Sequence, residues 1–211
     1  MRRVFRYIYY NKTIKMTRRI FSLLILVFAL VSIAEAQTPE EEIKTLLEQR
    51  DQQVKTLLGP EGSEYSDEQR AEIKDIINGI IDFESMAKYA LEDTYASLSI
   101  EIQTEFVDLF ATIVRDQSLN KLDIYRAEVT YNSIKVEGNK ATVKTYAELD
   151  DIRTPVDYTM VKEEGEWVIT DLILDEVSTA ESYNRQFQRI ISRKGFDSLL
   201  STLRKRAARN S

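Results

Sequence analysis

Val129-Thr130-Tyr131-Asn132-Ser133-Ile134-Lys135-Val136-Glu137-Gly138-Asn139-Lys140-Ala141-Thr142-Val143-Lys144-Thr145-Tyr146-Ala147 is the stretch that decides the fold. Apolar side chains recur at every second position on either side of Gly138-Asn139, a dipeptide suited to a tight hairpin turn. Tyr131 and Ile134 differ in parity, so the first strand is predicted to carry a bulge. Pro155 to Val161 and Trp167 to Leu174 continue the period of two around a turn at Gly165. Strands joined in succession by short loops pair antiparallel, which predicts a sheet of about four strands.

Helical spacing flanks this block. Thr38-Pro39-Glu40-Glu41 combines an N-cap threonine, a proline at the first helical position and a capping-box glutamate. Ile43, Leu46, Leu47, Val54, Leu57 and Leu58 follow on one face, and Gly59-Pro60 ends the helix. Ser66 to Gln69 is a second capping box, ahead of Ile73, Ile76, Ile77, Ile80 and Ile81. Asp82 caps a segment carrying Phe83, Met86, Ala87, Ala90 and Leu91; Ser99 caps a longer one with Phe106, Phe110 and Val114 on its apolar side. After the strands, Tyr183, Phe187, Ile190 and Ile191, then Leu199, Leu200 and Leu203, return to helical spacing. Helices before and after an antiparallel sheet define an α+β domain.

The 211 residues include no histidine and no cysteine. Imidazole-based catalysis, disulfide frameworks, iron–sulfur clusters and thiolate nucleophiles are thereby excluded. Six glycines and three prolines leave little room for phosphate-cradling loops or disordered linkers. Residues 1–36 hold seven Lys/Arg against one Glu, while the rest of the chain carries 22 basic and 34 acidic residues, a net −12. So acidic a domain is repelled by nucleic-acid phosphates and anionic bilayers. Arg18-Arg19, the apolar run Ile20 to Ile33 and Ala34-Glu35-Ala36 have the order of a secretory signal peptide cleaved after Ala36, with Met16 as a second possible start. About 14 apolar residues span only ~21 Å as a helix, short of a ~30 Å hydrocarbon core. The expected product is residues 37–211, one exported domain with no stable membrane insertion.

Six segments, in order, resemble the MlaC (toluene-tolerance) family of periplasmic phospholipid-binding proteins: Ile81 to Leu91, Glu105 to Phe110, Pro155 to Tyr158, Trp167 to Asp171, Ser182 to Phe187 and Gly195 to Leu200. The resemblance implies a nuclear-transport-factor-like fold, a curved sheet wrapped by helices around an internal apolar pocket. It implies a monomeric periplasmic carrier with phospholipid as cargo and no other cofactor. Its partners would be an inner-membrane ABC-transporter complex and an outer-membrane lipoprotein complex, and its role the upkeep of outer-membrane lipid asymmetry. Four departures stand out. Glu92 and Glu176 occupy positions where relatives usually have glycine, and Tyr95 replaces a tryptophan. Arg185 comes one residue later than the family's arginine, a rotation of roughly 100° on a helix.

Lipid cargo sets a physical demand. Moving two tails of ~14 methylenes into water costs on the order of 20 kcal/mol, so a soluble carrier must shield most of both. The expected wall is Tyr146, Val156, Tyr158, Met160, Trp167 and Ile169 on the sheet, facing Phe83, Met86, Phe106, Phe110 and Val114, with Tyr183 and Phe187 beyond. The same stripes suit a filled core, as in an exported adaptor. Asp157, Asp171 and Asp175 leave room for a small pocket enzyme, an isomerase or dehydratase using an aspartate base. Residues 185–209 hold eight basic residues against Asp197, whereas 37–84 hold thirteen acidic against five basic. Arg185, Arg189 and Arg193 are therefore expected to dock an acidic partner surface.

Overall fold

The sheet is built from β1 (Glu128–Glu137), β2 (Lys140–Leu149), β3 (Ile152–Glu163), β4 (Glu166–Leu174) and the two-residue β5 (Val177–Ser178). Its order is β1-β2-β3-β4-β5, every pair antiparallel, so a short fifth strand extends the expected four. The computed structural model describes residues 37–118 and 122–210; the leader expected at 1–36 lies outside them. Thr38–Ser211 form one compact unit.

β1 shifts register between Tyr131 and Ser133, where the parity change predicts a bulge. A second shift was not legible in the sequence: Thr159 pairs Asp171 but Met160 pairs Ile169, leaving Thr170 as the extra residue. Below that shift Trp167 and Ile169 share a face with Met160, and above it Leu172 and Leu174 take over the same face opposite Tyr158 and Val156. The inward row of β4 therefore stays apolar although the strand changes parity.

Among the described residues, seven α-helices surround the sheet: α1 (Pro39–Leu58), α2 (Asp67–Asn78), α3 (Phe83–Leu91), α4 (Asp93–Ser97), α5 (Ile100–Ser118), α6 (Thr179–Lys194) and α7 (Phe196–Asn210). Both capping boxes form, Thr38 with Glu41 and Ser66 with Gln69, and Asp82 accepts the Ser85 N–H at 2.9 Å. Ile43 and Leu47 of α1 pack against Val143, Met160, Trp167 and Ile169 on one half of the inner face. The far half of α1 joins Ile73 and Leu122 in a satellite cluster. There the Arg126 guanidinium, from a 3-10 turn at Leu122–Arg126, donates to the carbonyls of Leu58, Gly59 and Pro60. Among the described residues no helix is long and apolar enough to cross a membrane.

Candidate functional site

Two apolar clusters meet at Ile81, which packs on both. The chain is pinned there by Ile169 N–H donating to Ile80 O at 2.7 Å and Asp82 N–H donating to Ile169 O at 2.9 Å. That pin starts α3 against the sheet and buries Phe83 at its first position. The Arg115 guanidinium of α5 covers the Phe83 ring at 4.9 Å from its centroid.

The helical cluster is filled. Phe106, Phe110, Tyr183 and Phe187 interlock, with Phe110–Tyr183 edge-on at 4.9 Å and Phe106–Phe187 edge-on at 5.7 Å. Met86 is buried among them, while Val114 packs on the cluster and is only partly buried. Met160, Trp167 and Ile169 lie in the second cluster, under α1.

The remaining inner face is different. Val156, Tyr158 and Leu172 are apolar, share that face and are only half-buried, and Leu174 at the end of the row is 43% exposed. Tyr158 is the informative member. It stands on the middle strand, and its surroundings push the phenol up to about 12, loss of water being the largest cause. Tyr158 packs against the cluster under α1 and still keeps some accessible surface, so the row it belongs to is not fully covered. Tyr131, across β2 on the same face, is pushed up for the same reason.

Tyr146 needs correcting. It pairs with Pro155, whereas Val156 pairs with Thr145, so Tyr146 occupies the opposite face of the sheet, under the Arg153 guanidinium at 4.1 Å. Its parity follows β2, whose inward residues are Ala141, Val143 and Thr145. Leu172 and Leu174 belong to the inner row instead. Sequence reasoning missed them because β4 has apolar residues in both phases; the register shift at Thr170 alone assigns them inward.

None of the three aspartates lies on the inner face. Asp157 flanks Tyr158 on the other side and accepts the Thr145 N–H. Asp171 pairs with Thr159 there, and it caps α6 by accepting from Ser178 Oγ at 2.6 Å and Ala180 N–H at 2.9 Å. Asp175 sits in the β4–β5 turn. On the exposed side of α6, Arg185, Arg189 and Arg193 follow one another at intervals of four; Arg185 is paired with Glu181 at 2.7 Å. Beside the start of α6, Leu174, Val177 and Tyr183 form the apolar side of an open cleft of about 320 Å³, and Arg206 of α7 borders it.

A solved structure of a phospholipid-binding protein from Ralstonia solanacearum, in complex with a phospholipid, is similar to this one with a TM-score of 0.69. The two are 20% identical, and the match covers 82% of this chain and 99% of the other, a likeness of fold. A search of curated proteins found no match. The family model described as MlaC protein matches residues 36–205, and the chain belongs to that family.

Proposed function

We propose that this protein is a phospholipid carrier, exported to the periplasm and working without catalysis. The observation that carries the reading is the accessible apolar row Val156–Tyr158–Leu172–Leu174 on an otherwise covered sheet face. Acyl tails lie along it, with Phe83 and Val114 on the helical side and Met160, Trp167 and Ile169 flooring its closed end. Met86, Phe106, Phe110, Tyr183 and Phe187 back that wall as packed support. The phospholipid in the similar solved structure and the family membership point the same way. An aspartate-based enzyme is disfavoured because Asp157, Asp171 and Asp175 are turned to other duties. The carrier shuttles lipid between an inner-membrane ABC-transporter complex and an outer-membrane lipoprotein complex, which maintains outer-membrane lipid asymmetry.

Native mass spectrometry of the purified protein after incubation with liposomes tests this. One phospholipid per chain is the expected result. Protein that remains empty at every lipid concentration, while folded by circular dichroism, would overturn the reading.

A further inference from the structure

The cleft beside α6 joins the apolar row to the surface. Leu174 belongs to both, since it pairs with Val156 on the inner face and also lines the cleft. Tyr183 reaches the cleft from the helical cluster, and Val177, 54% exposed, forms the rim. An apolar track that ends at solvent is where the polar end of an amphiphile emerges.

The polar lining narrows the chemistry. Among the described residues, Arg206 is the only charged one that lines the cleft. Among the described residues its guanidinium has no ion-pair or hydrogen-bond partner, and the side chains of Thr179 and Gln186 are likewise unengaged. The start of α6 is already satisfied: Asp171 takes the Ala180 N–H and Ser178 Oγ takes the Glu181 N–H at 3.0 Å. A helix end so capped by a carboxylate does not hold a second anion. The anion must go to the guanidinium, whose planar fork suits phosphate.

We infer that this cleft seats the phosphate of the cargo's headgroup, with Arg206 as its cation and Thr179 and Gln186 as neutral partners. The inference rests on the carrier reading and deepens it. Tails select for chain volume along the inner face, while Arg206 selects lipids that carry a phosphate over neutral diacylglycerols of the same chains.

The test is a competition. Purified protein is equilibrated with liposomes containing equal amounts of phosphatidylethanolamine and diacylglycerol of identical chains, and the bound lipids are counted by native mass spectrometry. Wild type is expected to prefer the phospholipid. Arg206→Ala is expected to lose roughly tenfold of that preference, the scale of one charge-assisted hydrogen bond discounted for exposure. Arg206→Lys should keep part of it, and neither variant should change the unfolding temperature, because Arg206 is exposed on α7. An unchanged lipid ratio in Arg206→Ala overturns the headgroup assignment and leaves the carrier reading standing. No bound lipid of either kind in wild type removes both. Inorganic phosphate that stabilises wild type but not Arg206→Ala, with the lipid ratio unaltered, would assign the cleft to a free anion and overturn the headgroup assignment.

Discussion

Val156 and Ile169 stand on one face of the sheet and differ in what surrounds them. Ile169 is 6% exposed, packed under α1 and hydrogen-bonded through its backbone to Ile80 and Asp82. Val156 is half-buried in the accessible row. A carboxylate at Ile169 has no water and no partner, so Ile169→Glu should cost ~3 kcal/mol or more of folding stability. Val156→Glu can keep its charge hydrated in an empty recess but not against acyl chains. It is expected to fold with nearly wild-type denaturant midpoint and to lose most lipid occupancy per folded molecule. Equal loss of stability in both variants would place Val156 in a filled core. Tyr158 supplies a pH signature. Its folded pKa is raised to about 12, above its ordinary value near 10, so above pH 10 the unfolded chain sheds the proton first. Stability should therefore fall as pH rises from 10 toward 12, less steeply in Tyr158→Phe, which chemical denaturation at successive pH values will measure.

At the scale of elements, two glutamates carry backbone strain in the turns that they close. Glu92 and Glu176 both have positive φ, 52° and 64°. That backbone region is costly for any residue with a Cβ. The requirement comes from the folds of the turns: Glu92 ends α3, and Asp175–Glu176 is the two-residue link from β4 to β5. Glu176→Gly should stabilise the protein by about 0.5–1 kcal/mol, raising the melting temperature by roughly 2–3 °C. Glu92→Gly should gain less, because it forfeits the 2.8 Å hydrogen bond from Asn184 that ties α3 to α6. A second tie joins α1 to the β3–β4 hairpin, with Glu42 accepting from Lys162 at 2.6 Å and Trp167 at 3.2 Å. Those bonds, Lys162 first, hold the Glu42 carboxyl below its usual range. Its stabilisation is present at neutral pH and lost as the pH falls through its lowered pKa, so the melting temperature of wild type should fall more steeply in acid than that of Glu42→Gln. Glu42→Gln removes that component, and melting temperatures between pH 3 and 6 will show it. Local chemistry of this kind was legible in the residues: Thr38, Ser66 and Asp82 cap as their spacing predicts, and the Tyr131/Ile134 parity conflict is a real bulge. What the sequence did not carry is long-range register. Thr170 becomes a bulge only because β3 pairs across it, and that pairing, not the pattern of β4, turns Leu172 and Leu174 inward and leaves Tyr146 outside.

For the whole molecule the question is how cargo leaves. Apolar spacing cannot distinguish a hollow core from a filled one; the part-exposed row Val156, Tyr158, Leu172 and Leu174 is what the structure adds. If two tails sit along that face, release into water costs on the order of 20 kcal/mol, and spontaneous exchange is too slow to serve traffic. A docked partner that continues the apolar track removes most of this barrier, since the tails then never become fully hydrated. Electrostatics can align such an encounter without adding much to its lifetime. The ridge on α6 suits that purpose: Arg189 and Arg193 are exposed and have no ion-pair partner among the described residues, whereas Glu181 already neutralises Arg185. The α6 start lines the cleft from which cargo would emerge, so a partner held by this helix faces the exit. Transfer to protein-free liposomes is therefore expected to be slow, and to be accelerated by membranes bearing the inner- or outer-membrane complex. Arg189→Glu with Arg193→Glu should slow the accelerated step severalfold, and increasingly so at low salt, with lipid occupancy unchanged. Arg185→Glu alone should matter less, because its charge is already answered. Fluorescent-lipid transfer kinetics with and without the partner complex will decide. Fast transfer to bare liposomes, indifferent to any partner, would remove docking from the mechanism, and an equal loss of occupancy in the double variant would put these arginines at the lipid instead of at a partner.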